Sequence, residues 1–249
     1  MSGKSRVSPR FALAAVLLAA SAGAVYPDNG MMDIETPLLG LEEGDIELSI
    51  DHRFLGDAFE DPFEDLFGAD VGANVRLGAR MILPAGLDLG ASYVRYGSIW
   101  GAAAGWNGVG GPLGLRAQAG FYSQEVSVDE RETGAMLELA VEPLMRLWRV
   151  QPVVCAGYDT RMEMAGLGLG GDVVISDSYS LWGEYMPVVD GEDGETGDND
   201  AFAFGLTVLT YGHQFMFGLG NSTGMRLRGT MAGAADSDLR LNFRIRRLI

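Results

Sequence analysis

The chain has 249 residues, a formal net charge of −16, 36 glycines and a single cysteine. The acidic balance excludes ordinary nucleic-acid binding, which needs a basic face to release counterions from phosphate. One cysteine excludes an intramolecular disulfide framework and any cysteine-based zinc cluster, and glycine at about twice its usual share beside 47% hydrophobic residues points to tight turns and crowded strands.

Residues 1–24 read as a cleaved signal peptide. Lys4, Arg6 and Arg10 form a basic start, and Phe11 to Ala20 is an apolar run too short to span a bilayer as a helix. Small residues at Ala22 and Ala24 suit cleavage after Ala24. Lys4 is the only lysine, and removal of the three basic residues takes the net charge from −16 to −19. Cys155 lies far from this site, which excludes a lipoprotein. Residues 25–42, with Pro27 and Pro37, read as an irregular periplasmic segment.

From 43 to 249 the chain alternates apolar with polar or small residues, the signature of half-buried strands. Ile46, Leu48 and Ile50 alternate with Glu47, Ser49 and Asp51; Leu239, Leu241, Phe243 and Ile245 alternate with Arg240, Asn242, Arg244 and Arg246. A helix over the last segment would carry arginine all round its cylinder. About twelve strands (ten to fourteen allowed) are expected near 43–54, 72–83, 87–97, 99–106, 113–123, 133–143, 150–160, 162–175, 178–189, 201–210, 213–221 and 237–247. Long connections are expected at 55–71, 124–132, 190–200 and 222–236, and short ones at 84–86, 107–111, 176–177 and 211–212. Long loops on one rim and short turns on the other describe an all-β, antiparallel, up-and-down transmembrane barrel in the bacterial outer membrane. A soluble β-sandwich is the competing architecture, but its water-facing parity would be rich in lysine and glutamate. Here that parity is often Gly, Ala, Ser or one charge, as a confined lumen requires. Tyr93, Tyr96, Trp100, Trp106, Tyr122, Trp148, Tyr158, Trp182 and Tyr185, near strand ends, are expected to form interfacial girdles.

Several stretches strengthen this reading: His52-Arg53-Phe54, Gly72 to Gly78 (GANVRLG), Gly183-Glu184-Tyr185, Gly212-His213-Gln214-Phe215 with Asn221-Ser222, and Asn242 to Arg247 (NFRIRR). Over roughly 45–249 the chain resembles an uncharacterised family of bacterial outer-membrane β-barrels known only as a domain of unknown function. The resemblance implies an exported barrel and brings no activity with it.

Histidine catalysis has two candidates, His52 and His213. A serine two residues on, facing the same side of the strand, is missing, because those positions are Phe54 and Phe215. Ser222 lies nine residues from His213, about 30 Å along a strand at ~3.3 Å each, too far for proton transfer. Cys155, among Val153, Val154 and Ala156, reads as a packed thiol. The chain is therefore expected not to be an enzyme and to need no cofactor.

The candidate site is a lumen charge network of Glu47, Asp51, Arg53, Arg76, Arg80, Arg116, Glu138, Glu142, Glu184, Arg240, Arg244 and Arg246. Barrel closure places Glu47 and Asp51 between Arg76 and Arg80 on one side and Arg240 and Arg244 on the other; arginine suits this because its planar fork binds carboxylates and stays charged. The network admits two functions: a passive pore or transport-related barrel for small polar solutes, or a plugged structural or binding barrel acting through acidic outer loops. Expected partners are outer-membrane lipid, small polar solutes and divalent cations at the acidic loops. In 190–200, Asp190, Glu192, Asp193, Glu195, Asp198 and Asp200 form an oxygen cluster of the kind hard cations use, though without EF-hand spacing, so a solvated loop is preferred to a metal site. Residues 57–67 interleave acids with Phe59, Phe63, Leu66 and Phe67, and are expected to cap or enter the barrel mouth.

Overall fold

The structure, a computed structural model, describes residues 30–60, 62–128, 130–189 and 197–249. The expected signal peptide, the first residues of the following segment and most of the acidic loop at 190–200 lie outside them. Among the described residues, twelve antiparallel strands form a closed barrel. They are β1 (Ile46–Phe54), β2 (Ala73–Ile82), β3 (Leu87–Val94), β4 (Ile99–Gly110), β5 (Leu113–Ser127), β6 (Glu130–Pro143), β7 (Val150–Asp159), β8 (Met164–Ser176), β9 (Tyr179–Met186), β10 (Ala201–Thr210), β11 (His213–Gly220) and β12 (Arg240–Leu248). Each strand pairs with its neighbour in sequence, and β1 closes the cylinder on β12, with Ile50 opposite Ile245 and Asp51 opposite Arg244.

The period-two pattern explains the orientation of every strand. Outward positions such as Ile46, Leu48, Ile50, Leu77, Leu89, Leu137, Leu167, Leu181, Phe204 and Phe217 are exposed on the outer wall. In water such a belt would cost about 25 cal/mol per Å² of apolar surface; against hydrocarbon that cost vanishes. Each strand of the wall pairs on both sides, because a closed barrel has no edge.

Connections 55–72, 187–200 and 221–239 share one rim, and short turns such as 83–86, 111–112 and 211–212 share the other with the start of β1 and the end of β12. Long loops place the first rim outside and the second in the periplasm. Two connections differ from expectation. The long loop at 124–132 is mostly strand, with Gln124 opposite Glu132 and Glu125 opposite Arg131. Above the hydrocarbon both faces of a hairpin meet water, so alternation stops while pairing continues. The turn at 107–111 shrinks to 111–112, and Asn107 belongs to β4.

Two residues assigned to the interfacial girdles lie inside instead. Tyr122 and Trp182 are buried on the inward parity, where glycine across the ladder makes room. A Cβ on Gly134 would stand 2.4 Å from the Tyr122 hydroxyl, and one on Gly218 2.6 Å from the Trp182 ring. The loop at 57–67 stays outside the mouth: Phe63 is 87% exposed and meets only Phe67 edge-on among aromatic rings of the described residues.

Candidate functional site in the barrel interior

The interior is divided. Residues 30–38, expected as part of a periplasmic lead-in, lie inside the barrel as irregular chain, buried throughout. From outside, the connection 221–239 folds inward and forms a short helix, α1 (Arg226–Thr230). Together they pack a methionine-rich core on the β6–β11 side: Met31, Met32 and Ile34 from the plug, Leu227 and Met231 from the loop, and Met136, Met164, Met186, Met216, Cys155 and Trp182 from the wall. Unbranched, polarisable methionine fills the irregular gap between a non-repeating plug and a repeating wall. Burying Met31, Met32 and Ile34 is worth about 5–9 kcal/mol at ~1.5–3 kcal/mol per side chain.

The polar positions of the plug are tied to the wall. Glu184 of β9 accepts hydrogen bonds from the backbone N–H of Asp33 (2.9 Å) and Ile34 (3.1 Å). The Asp33 carboxylate pairs with Arg53 at 2.6 Å and accepts from the Arg226 backbone N–H at 2.7 Å. Glu35 is gripped by three guanidinium groups, those of Arg80, Arg116 (3.2 Å) and Arg226. Arg244 donates to the Met31 carbonyl at 2.6 Å. At the periplasmic rim the Leu38 N–H donates to Asn107 Oδ1 at 3.1 Å. Buried charges persist only where they are paired and hydrogen-bonded, so each contact fixes the plug's position as well as holding it.

The remaining charges form neighbouring sets. Asp51 receives Arg76 at 3.0 Å and Arg244 from the opposite side. Asp88 receives Arg116 at 2.8 Å, with Asn107 bridging, and Arg80 at 3.6 Å. Glu47 lies 3.7 Å from Arg80. Arg240, expected beside Glu47 and Asp51, sits nearer the outer rim and binds Asp236 at 2.7 Å and the Asn221 carbonyl at 2.9 Å. The register of β12 explains this, since Arg244 and not Arg240, four residues away, stands opposite Asp51. Glu138 lies on the lumen wall opposite Gln118, Glu142 lies opposite Gly114 near the plug's Pro37, and Arg246 is buried opposite Gln214 and Ser49.

On the β1–β6 side the interior is open. A cavity of about 370 Å³ runs from Tyr96, Thr223 and Asp236 at the outer mouth to Glu47 and Asp88, each the second residue of its strand at the periplasmic end. Small inward residues (Gly78, Gly90, Ser92, Gly101, Ala103, Gly120) make the space, and Arg76, Arg80, Arg226, Arg228, Arg240 and Arg246 line it. Arg228 stacks over the Tyr122 ring at 3.8 Å and pairs with Asp159 at 3.1 Å.

Asp33, Glu35, Asp88, Asn107, Asp159, Arg226 and Arg228 belong to this interior but escaped the sequence reading. A signal existed for the plug: Met31-Met32-Asp33-Ile34-Glu35 sets acids among apolar residues in a stretch taken as irregular. Asp88 shares the inward parity of its strand. Nothing in periodicity marks a loop that folds inward.

The histidines stand apart. His52 faces outward near Phe54 and Phe243, and His213 opens β11 at the periplasmic rim, 2.6 Å from Arg247. Of the acidic loop, Asp190, Glu192, Asp193 and Glu195 lie outside the described residues. Asp198 is exposed, and Asp200 accepts from the Val188 N–H at 2.9 Å and from the Tyr185 hydroxyl. Among the described residues no group of three metal-ligating side chains converges.

Residues 154–248, from within β7 to the end of β12, match the family model described as membrane bound beta barrel domain (DUF5777). That part of the chain is thus similar to a membrane-bound β-barrel domain. Among solved structures, a KdgM porin in complex with disordered oligogalacturonate is similar at a TM-score of 0.54 and 8% identity, over 82% of this chain and 98% of that one. A second KdgM porin structure gives 0.50 and 9% over the same shares. An outer-membrane channel from Pseudomonas putida F1 gives 0.48 and 14%, over 90% of this chain and all of that one (100%). At these identities the likeness is one of fold, the twelve-stranded barrel of an outer-membrane protein. No curated protein sequence matches the chain.

Proposed function

We propose that this outer-membrane barrel is a narrow passive channel for small polar solutes rather than an enzyme. The observation that carries the reading is the cavity beside the plug, whose lining follows β2 and β3 from Asn74 and Val94 near the outer rim to Arg80 and Asp88 near the periplasmic one. Solutes move through such a passage because paired, fixed charges exchange hydrogen bonds with them without holding them. The KdgM porins, whose fold this chain shares, support the reading. The plug sets the width, since it fills the opposite side of the same cylinder.

Planar-bilayer recording of the purified mature protein tests this. Stepwise openings of small, uniform conductance are expected. A silent bilayer, with protein that still shows the heat-dependent gel shift of a folded barrel, overturns the channel and leaves the plugged binding barrel.

A further inference from the structure

The chain is strongly acidic, yet the passage presents the opposite sign. In the ion pairs inside it, below the Arg240–Asp236 pair of the mouth, the arginine is the more exposed partner: Arg76 is 12% exposed against 2% for Asp51, Arg80 10% against 4% for Glu35, and Arg226 13% against 4% for the same Glu35. Arg228 repeats the pattern over a fully buried Asp159. The carboxylates anchor the guanidinium groups, and the arginines line the cavity. Glu47, Asp88 and Glu138 on the wall and Asp236 at the mouth are acids that also reach it.

Glu35 differs from the other acids. It comes from the plug and not from the wall, and its one carboxylate receives Arg80, Arg116 and Arg226 together. Arg80 and Arg116 also meet Asp88, whereas the ion pair of Arg226 is with Glu35, and the planar forks of all three are suited to carboxylate oxygens. Glu35 itself borders the cavity.

Resting on the channel reading, we propose that Arg80 and Arg226, backed by Arg116, form an anion site in the passage for carboxylate-bearing solutes, and that Glu35 of the plug is its built-in occupant. Glu35 lends the arginines a counterion when the passage is empty. An entering carboxylate shares or replaces it, so the solute is recognised without being trapped.

The test combines reversal potentials in a KCl gradient, block of the current by citrate, and calorimetric titration of citrate into the detergent-solubilised protein. Wild type is expected to prefer chloride over potassium. Glu35→Gln is expected to raise that preference several-fold and to lower the citrate concentration for half-block about tenfold. Arg226→Gln, on the loop rather than a strand, is expected to reduce both, and it serves should Glu35→Gln lose the gel shift of the folded barrel. Conductance with cation preference, or with citrate block unmoved in both variants, overturns the anion site and leaves the channel standing. A silent bilayer with citrate binding that tightens in Glu35→Gln overturns the channel and keeps the site. Silence without citrate binding overturns both.

Discussion

Asp51 shows how a single residue organises the interior. It is 1% exposed, on the first strand, and receives Arg76 from β2 and Arg244 from β12, so its carboxylate ties together the three strands at the closure of the barrel. Removing the charge leaves two buried guanidinium groups without their counterion, a loss of about 3–5 kcal/mol for a broken buried pair. Asp51→Asn is therefore expected to unfold at clearly lower urea concentration in detergent than wild type. A shift worth under about 1 kcal/mol, the scale of an exposed pair, would count against the closure role. The inward parity of Asp51, Arg76 and Arg244 was legible in the sequence because one polar residue every second position can face only one way in a strand. Their choice of partner was only partly legible, since register depends on how far each strand is shifted along its neighbour. That is why Arg240 meets Asp236 and not the acids of β1.

At the scale of elements, periodicity located the twelve strands within a few residues, and it failed where a segment packs without repeating. The plug and α1 bury their apolar side chains in a space shaped by the wall, so no period appears in residues 30–38 or 221–239. Their ties to the wall are testable. At the outer mouth, hydrogen bonds from Arg240 hold the Asp236 carboxyl below the usual carboxylate range. A depressed folded pKa stabilises the contact above the ordinary value of about 3.9, and that contribution is lost as pH falls through the depressed value. The mouth loop is thus expected to stay seated from neutral pH down to about pH 5. Below about pH 4 it loosens as Asp236 takes up its proton. Asp236→Asn should show the loosened behaviour already at pH 7, read as raised current noise or as faster proteolysis within 221–239. Equal behaviour of variant and wild type at pH 7 would show that the loop is held by α1 packing alone.

The whole molecule is a cylinder shared lengthwise between a packed half and an open half. The division follows from where the plug and α1 lie: β7–β11 turn methionine, Cys155, Trp182 and the glycines of β8 onto them, whereas the inward glycine, alanine and serine of β2–β5 face the cavity. Conduction beside the plug requires no movement of the plug, whereas conduction through the space it fills requires its release. Cys155 separates the two cases, because it is the only cysteine and lies against the plug. Its Sγ and the Ile34 Cδ1 stand 2.5 and 3.0 Å from one point, the position of a Cβ built on Gly168. Ile34→Cys should therefore cross-link to Cys155 with a short bis-methanethiosulfonate, which forms a disulfide to each thiol with loss of sulfinate and fixes the plug to β7. If the passage lies along β2–β5, the cross-linked barrel conducts at the level of the same variant before reaction, and deletion of 30–38 raises the conductance several-fold by opening the packed half. Loss of current on cross-linking, restored by reductant, would instead make release of the plug the conducting step.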